Sequence, residues 1–336
     1  MSFDGFKKVI EESDTVILYL TIHQVYAVKA EPKTKSKKGV LIENVFQTPY
    51  GALKCGDLIG KDYGSKITLS KGWGYVLQPT PELWTLTLPH RTQIIYTPDA
   101  SMIVLQLELN PGSIVIESGT GSGSLSHALI RAVKPHGHLY TFDFHENRVN
   151  IAKDEFYDHG LQRYVTVQQR DVCTDGFGTD LDHKADAVFL DLPHPWLAIP
   201  HALNSLKETG GRICSFSPCI EQVQKACLKL KELGFQELQT VEVLQSQYNV
   251  QTKSLNMLNL EFLRDKKTDM INDNDDTRNK DGMSFSKTLT SIAPSKQAGH
   301  TGFLTFATLP PIWARNIHLQ IQDDNDNVMR DPNDNM

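Results

Sequence analysis

The sequence predicts an α/β protein in which a small all-β domain precedes a doubly wound parallel sheet. Residues 1–75 are rich in β-branched residues and glycine, and they show no helical periodicity after the first dozen residues. From about residue 112 onward, short apolar segments alternate with amphipathic segments of helical spacing. That alternation is typical of parallel strands joined by crossover helices. The 336 residues are enough to build both cores.

The N-terminal region supplies the first elements. Strands are predicted at 15–20 and 24–28, and they should pair with each other. The lysine-rich segment 32–38 is interpreted as a solvated loop or, alternatively, as a contact for phosphate groups. Thr80 and Pro81 suit a helix N-cap and the first helical position. A β domain is therefore predicted at 1–78, followed by a helical connector at 79–111.

The predicted sheet and its helices occupy residues 112–264. Strands are expected at 113–117, 138–143, 164–168, 187–191, 212–216 and 237–243, and helices at 123–133, 147–158, 195–206 and 219–233. The polar segment 265–298 predicts a disordered insertion, and residues 299–310 should supply a final strand that returns to the same sheet. The acidic segment 311–336 is expected to be largely disordered.

The net charge of −6 comes from two acidic segments. Residues 265–281 hold six acids and four bases, and residues 322–336 hold five acids and Arg330, so the rest of the chain is neutral. A local basic groove for nucleic acid is compatible with this composition but not required by it. The five cysteines and twelve histidines show no metal-ligand spacing, which predicts a reducing compartment and no metal site. No apolar segment approaches the ~20 residues that span a bilayer.

A glycine-rich segment marks the first turn from strand to helix in the predicted sheet. Three glycines alternate there with small hydroxyl residues, over residues 118–123. Glycines let the backbone approach a ligand closely, and the following helix presents free N–H groups. The spacing is GxGxG rather than the GxGxxG of dinucleotide-binding proteins. It therefore favours a ligand without a pyrophosphate, such as S-adenosylmethionine, over NAD.

Three aspartates stand at the ends of three successive predicted strands. Because the carboxyl ends of parallel strands meet at one edge, Asp143, Asp171 and Asp191 should line the same crevice as the glycines. Asp143 is placed to accept hydrogen bonds from ribose hydroxyls, and Asp171 with the Val172 N–H to contact an adenine ring. The alternatives are a solvated strand-end acid for Asp143 and a turn-forming acid for Asp171.

The segment DLPHPW, which follows the fourth predicted strand, is the most unusual feature of the chain. Asp191 is followed by two prolines and by Trp196, and the prolines stiffen the turn and remove backbone donors. One interpretation is a fixed carboxylate beside a flat side chain that grips and polarises a nucleobase. The other is a helix cap, with Pro195 and Trp196 in the first helical turn. No role is assigned to His194.

Taken together, these motifs resemble a known family. Segments 79–84 (PTPELW), 117–123 (ESGTGSG), 191–196 (DLPHPW), 214–219 (CSFSPC) and 299–306 (GHTGFLTF) look like those of the catalytic subunits of eukaryotic tRNA (adenine(58)-N1)-methyltransferases. The resemblance extends from the N-terminus to about Thr308, except for the polar insertion. It implies a class I methyltransferase fold and S-adenosyl-L-methionine-dependent methylation of adenine N1 in the T-loop of tRNA.

The resemblance also implies roles for individual residues and an assembly. Asp191 would be the catalytic residue. The cofactor would contact Ile95, Ser118, Gly119, Thr120, Gly121, Ser122, Asp143, Arg148, Asp171, Val172 and Asp191. The tRNA would be bordered by Tyr96, Thr97, Ser215, Phe216, Ser217 and Pro218. The resemblance further implies a nuclear location and a heterotetramer of two catalytic and two non-catalytic sister chains.

Two departures from the family pattern bear on these expectations. Asp143 stands where family members usually carry Glu, and the shorter acid should still reach a ribose diol. The lysine-rich loop is longer than usual, so a tRNA contact there does not follow from the resemblance. Two other functions remain open: a non-catalytic RNA-binding subunit, which should have lost the glycine loop or Asp191, and an NAD-dependent oxidoreductase, which the glycine spacing disfavours.

Overall fold

The computed structural model describes residues 3–36, 39–88, 92–246, 248–258, 283–294 and 301–315. The chain divides into two compact units. The first comprises Met1–Val243 and Thr301–Met336, and it contains the N-terminal β domain and a large sheet. The second comprises Leu244–His300.

Short antiparallel strands build the N-terminal domain. They are β1 (Thr15–Thr21), β2 (Gln24–Lys29), β3 (Lys33–Lys35), β4 (Leu41–Glu43), β5 (Val45–Thr48), β6 (Gly51–Lys54), β7 (Lys66–Thr68) and β8 (Trp73–Leu77). Four of them form the sheet β2-β1-β8-β7, and the others form the hairpins β3–β4 and β5–β6. Alternate residues face a core that includes Val16, Leu18, Leu53 and Val76.

Two predictions about this domain have different outcomes. The pairing of the first two strands is confirmed, since β1 and β2 are antiparallel neighbours. The segment 32–38 is not simply a loop, because β3 pairs with the apolar strand β4 there. Lys37 and Lys38 lie outside the described residues.

A helical connector follows, as predicted. It contains α1 (Pro81–Thr87) and α2 (Thr97–Gln106). Thr80 caps α1, since its hydroxyl accepts a hydrogen bond from the Leu83 N–H at 3.3 Å. Pro81 occupies the first turn, where its missing N–H costs no hydrogen bond.

The large sheet has seven strands in the order β11-β10-β9-β12-β13-β17-β14. The strands are β9 (Ile114–Ser118), β10 (His138–Asp143), β11 (Val165–Gln169), β12 (Ala187–Asp191), β13 (Gly211–Ser217), β14 (Gln236–Val241) and β17 (Phe303–Leu309). The helices are α3 (Ser124–Val133), α4 (Glu146–Asp158), α5 (Val172–Asp175), α6 (Pro195–Ser205) and α7 (Ile220–Glu232). Two hydrophobic clusters lie against this sheet. The first contains Leu129, Phe156 and Phe189. The second contains Phe142, Ile199 and Leu230.

The topology brings the predicted site together. Strands β9 to β13 run parallel, and β9 lies between β10 and β12, where the strand order reverses. The carboxyl ends of these strands form the crevice in which such sheets bind ligands. The predicted return of the final strand is also confirmed, because β17 inserts antiparallel between β13 and β14.

In the part of the second unit that the structure describes, the chain forms one antiparallel hairpin. Its strands are β15 (Asn249–Leu258) and β16 (Met283–Ile292), paired from Asn249↔Ile292 to Leu258↔Met283. Strand β16 lies inside the segment predicted to be disordered, so that prediction is wrong for residues 283–292. The physical reason is local: β-branched and apolar residues such as Thr288, Leu289 and Thr290 favour a strand, while the acidic residues before them dominate the average composition. Residues 265–282, 295–298 and 316–336 lie outside the described part of the chain.

Candidate active site

The glycine loop closes tightly over the end of β12. Gly119, Gly121 and Gly123 have φ values of +98°, +53° and +73°, in the left-handed region that favours glycine. A Cβ at position 119 would overlap with the carbonyl oxygen of Asp191. The Gly119 N–H donates to the Phe142 carbonyl at 2.8 Å. The loop therefore holds β9, β10 and β12 together and leaves its backbone uncovered toward the crevice.

Asp143, at the end of β10, is fixed by the backbone around it. Its Oδ2 accepts a hydrogen bond from the Gly121 N–H at 3.1 Å, and its Oδ1 accepts one from the His145 N–H at 2.9 Å. The Arg148 guanidinium lies 3.6 Å from Oδ1. A carboxylate offers about four lone-pair positions, so acceptor capacity remains for ligand hydroxyls.

Asp191 ends β12, at the sheet edge over which the glycine loop closes. Within the described residues its carboxylate makes no hydrogen bond. It does not cap α6, whose N-cap residue is His194, so that part of the helix-cap interpretation is wrong, while its placement of Pro195 and Trp196 in the first helical turn is confirmed. Burial, and secondarily the charge of Asp143, raises the pKa of Asp191 to about 6. The side chain is therefore an ionised acceptor near neutral pH that a bound ligand is free to engage.

Two adjoining cavities share Gly119, Asp143, Arg148 and Asp191. One has a volume of about 300 Å³, and its lining includes Thr92, Ile94, Ile95, Leu125 and Phe189. The other has a volume of about 470 Å³, and its lining includes Phe144, Asp171, Val172, Pro193, His194 and Leu197. Volumes in this range are those of small-molecule sites. The crevice combines backbone donors, carboxylates and apolar walls, which suits a nucleoside with a charged extension.

Asp171 takes the turn-forming role that was kept as its alternative. Its Oδ1 accepts a hydrogen bond from the Cys173 N–H at 3.1 Å, and its Oδ2 accepts one from the Thr174 hydroxyl at 3.0 Å. This caps the single turn of α5. Asp171 and Val172 still line the larger cavity, so a ligand contact there stays a prediction.

The predicted substrate group is not assembled at the crevice. Ser215, Phe216 and Ser217 are buried in β13, at 1%, 5% and 0% exposure, whereas Pro218, which follows the strand, is exposed. The two serine side chains point to the opposite face of the sheet from Phe216, because residues alternate along a strand. A substrate contact by these side chains stays a prediction. Tyr96 is exposed, and Thr97 lines a separate groove with α1 and α3.

Trp196 is also placed differently from the sequence interpretation. It lies beside His194, with ring centroids 5.0 Å apart, and under the Lys225 ammonium at 4.6 Å. It lines neither cavity. The neighbouring wall is formed instead by Leu192, Pro193 and His194. The indole therefore anchors α6 against α7 rather than flanking Asp191.

Glu117 supports the glycine loop from beneath and was given no role from the sequence. The hydroxyls of Ser126 and Thr141 donate to its Oε2 at 2.6 and 2.7 Å, and Thr120 and Thr141 share a further hydrogen bond. Burial raises the pKa of Glu117 to about 7. Its place before the first glycine was visible in the sequence, but its partners lie on α3 and β10.

The described segments contain neither a metal-binding cluster nor a membrane-spanning helix. They hold no group of three or more His, Cys, Asp or Glu side chains suited to a metal ion. None of their helices combines the length and apolar character that crossing a bilayer requires.

Comparisons with known proteins agree with this geometry. A protein from Dictyostelium discoideum named tRNA (adenine(58)-N(1))-methyltransferase catalytic subunit is 42% identical over 325 residues, covering 90% of this chain and 98% of its own. A Candida albicans protein of the same description is 45% identical over 249 residues, covering 72% of this chain and 70% of its own.

Solved structures share the fold. A SAM-dependent O-methyltransferase from Thermotoga maritima matches with a TM-score of 0.68 and 26% identity, covering 90% of this chain and 95% of that one. The tRNA (m1A58) methyltransferase TrmI from Aquifex aeolicus matches with a TM-score of 0.61 and 23% identity, covering 90% and 98%. The latter likeness shows the fold alone. The family model described as tRNA methyltransferase complex GCD14 subunit matches residues 72–309, so the chain, with its class I methyltransferase fold, belongs to that family.

Proposed function

We propose that this chain is the catalytic subunit of a tRNA methyltransferase that transfers a methyl group from S-adenosyl-L-methionine to N1 of adenine 58 in the T-loop. The observation that carries the proposal is the unpartnered carboxylate of Asp191 beside the glycine loop. The names of the two curated relatives described above support the same reaction.

The crevice fits an adenosyl cofactor, which when bound would supply an electrophilic methyl group on its sulfonium. Gly119 and Gly121 leave the backbone open to a close approach. Asp143 keeps acceptor capacity for ribose hydroxyls while the Gly121 and His145 N–H groups hold it in place. Ile95 and Phe189 supply apolar walls. The remaining predicted contacts, Ser118, Thr120, Ser122, Arg148, Asp171 and Val172, are part of this proposal.

Asp191 acts on the base. Adenine N1 is a weak neutral nucleophile that becomes cationic when it takes the methyl group. A carboxylate that accepts a hydrogen bond from the exocyclic N6 amino group raises the electron density at N1 and stabilises the positive charge that forms. The low-dielectric surroundings that raise the pKa of Asp191 to about 6 also strengthen this interaction. The base must first be splayed out of the folded loop, which costs a few kcal/mol.

The assembly belongs to the proposal as well. The family is described as a subunit of a complex, and the curated relatives are named catalytic subunits. These descriptions support a non-catalytic sister chain as the partner. A heterotetramer of two chains of each kind and a nuclear location follow from the resemblance. Outside its two acidic segments the chain has no net charge, so the basic surface for tRNA would come largely from the partner.

The decisive experiment is transfer of an isotope-labelled methyl group to tRNA lacking the modification, with the partner supplied. Asp191→Ala should fold, retain cofactor binding and lose about 10²–10³ in single-turnover rate, as expected when one preorganised electrostatic contact is removed. Asp154→Ala, which changes an exposed aspartate on α4, is the matched control and should be unaffected. Near-normal turnover by Asp191→Ala would rule out the role assigned to this carboxylate.

A tRNA-binding measurement and a cofactor thermal-shift measurement, made alongside the transfer assay, separate the two other functions. A complex that binds tRNA but transfers no methyl group would indicate a non-catalytic subunit. A thermal shift with NAD and none with S-adenosyl-L-methionine would indicate an oxidoreductase. The intact glycine loop and Asp191 argue against the first, and the GxGxG spacing argues against the second.

A further inference from the structure

The N-terminal domain carries an exposed aromatic pair that the proposed chemistry does not use. Trp73 and Tyr75 on β8 are 48% and 39% exposed, and their rings meet edge to face with centroids 5.4 Å apart. The Lys66 ammonium, on β7, lies 4.0 Å from the centre of the Trp73 ring. Two large rings and a cation thus share one solvent-facing area.

The sheet itself holds these side chains in place. Gly74 and Val76 alternate with the two aromatic residues and are buried, so Trp73 and Tyr75 both face outward. Tyr75 is the register partner of Lys66 on one side and of Tyr19 on the other. The rings therefore stand on a hydrogen-bonded sheet and lose little conformational entropy when something stacks on them.

The tip of a second hairpin lies beside the β7–β8 turn. The Lys71 N–H donates to the Tyr50 carbonyl at 3.2 Å, so the turn of β7–β8 and the turn of β5–β6 lie side by side. Tyr50 is 41% exposed. We call Tyr50, Lys66, Lys71, Trp73 and Tyr75 the aromatic–lysine surface.

The two hairpins carry basic but no acidic side chains. The sequence has no acidic residue between Asp62 and Glu82, where Lys66 and Lys71 lie, and none between Glu43 and Asp57. In a chain of net charge −6, two neighbouring hairpins without acids are well suited to a polyanion. Exposed aromatic rings beside lysines are the side chains that single-stranded nucleic acids use for stacking and phosphate contact.

We propose that the aromatic–lysine surface binds RNA, stacking unpaired bases on Trp73 and Tyr75 while Lys66 and Lys71 contact phosphates. The surface is a second RNA contact, distinct from the crevice that holds Asp191. The proposal rests on the proposed function in taking RNA as the substrate class. Aromatic side chains are also enriched in protein–protein interfaces, but lysine is depleted there, so the two lysines favour RNA over a protein partner.

The test is direct binding without cofactor. Full-length chain, in complex with its partner, is titrated against labelled unmodified tRNA and against a single-stranded oligoribonucleotide at fixed salt. Trp73→Ala and Tyr75→Ala should each weaken binding by about 5-fold to 100-fold, the effect of losing one stacked base. Lys66→Ala and Lys71→Ala should each reduce the slope of log affinity against log salt by about 0.7. Trp313→Ala, which removes a 65% exposed tryptophan elsewhere, is the control and should bind normally.

Two further readouts make the result specific. Trp73→Phe keeps a stacking ring and should restore most of the binding lost in Trp73→Ala, which a general disruption of the domain would not allow. In methyl transfer, Trp73→Ala should raise the KM for tRNA and leave kcat unchanged. Unaltered RNA affinity in both aromatic variants would overturn the proposal. The proposal would also be overturned if the aromatic variants lost the partner subunit but still bound RNA normally. That result would assign the surface to a protein contact.

Failure of this inference and failure of the proposed function are distinguishable. A wild-type complex that binds RNA through Trp73 but transfers no methyl group leaves the surface standing and refutes the activity. Normal methyl transfer, combined with an RNA affinity that the aromatic variants do not change, supports the activity and refutes the RNA-binding surface.

Discussion

At the scale of single residues, the crevice places a charge where the fold gains nothing from it. Asp191 has no hydrogen-bond partner among the described residues, and burial raises its pKa to about 6. A carboxyl group whose pKa is raised by folding makes the folded state less stable above that pKa. A cost of this kind, retained at a ligand crevice, is typical of functional rather than structural acids.

Replacing this charge should therefore stabilise the protein. Asp191→Asn is expected to raise the free energy of unfolding by about 1–2 kcal/mol at pH 7.5, the pKa shift being discounted for the side chain's partial exposure. The gain should be full above about pH 6 and shrink as the pH falls below the folded-state pKa. It should be small at pH 4, close to the ordinary carboxyl pKa of 3.8, and vanish only at lower pH, where the carboxyl is protonated in both states. Urea unfolding at pH 7.5 and pH 4 measures it. An equal gain at both pH values would mean that charge is not its cause.

At the scale of elements, α3 and the end of α4 are joined by a buried pair of histidines. The His127 Nδ1–H donates to the Gly123 carbonyl at 2.6 Å, and its Nε2 accepts from His159 Nδ1 at 2.9 Å. Phe3, Trp84 and Phe156 pack around the two rings. Burial lowers the pKa of His127 to about 4 and that of His159 to about 2, so both rings are neutral in the fold.

This pair should make the protein sensitive to mild acid. The unfolded chain takes up protons at these histidines below about pH 6.5 while the folded chain does not, so stability falls as the pH drops below 6.5. We expect a loss of about 2–3 kcal/mol between pH 7.5 and 5.5, measured by urea unfolding. Replacing both residues by Gln should flatten this dependence. His23→Gln, at an exposed turn, serves as the control. A double variant with the wild-type pH dependence would contradict the account.

At the scale of the whole first unit, a small apolar cluster joins the N-terminal domain to the large sheet. Trp84, Leu88 and Ile94 of the connector pack with Phe3 and with Ala27 of β2. The Trp84 ring also contacts both buried histidines. Its Nε1 is buried without a hydrogen-bond partner. The residue therefore contributes by filling space between two cores, not by polar bonding.

A substitution at Trp84 should therefore weaken the packing between the N-terminal domain and the large sheet. Trp84→Ala should lower the free energy of unfolding by about 3–5 kcal/mol, the usual cost of a cavity of this size. Trp84→Phe should cost clearly less, because it retains a ring and removes an unpaired donor. Denaturant unfolding followed by circular dichroism compares them. Similar losses in both variants would show that the indole N–H is bonded in solution.

Much of this molecule follows from the sequence, because each strand and helix depends on neighbours in the chain. The β12 strand at 187–191, the Thr80 cap and the glycine turn at 119–123 are local patterns of burial, capping and backbone freedom. Because alternating strands and helices form a parallel sheet, Asp143 and Asp191 can be placed at the same edge of that sheet from the sequence alone. The sequence does not give the side-chain directions of Trp196, Ser215 and Ser217, because these depend on packing against α7 and on strand alternation within the assembled sheet.

The residue types, their order and the crevice they line were thus determined by the sequence itself. Only the tertiary structure decided that Asp191 is left without a partner, that Glu117 is bonded from two other elements, and that β16 pairs with β15 across an acidic segment. It also decided that Trp73 and Lys66 share an exposed face. These properties depend on contacts between residues far apart in the chain, whose distances no local pattern encodes.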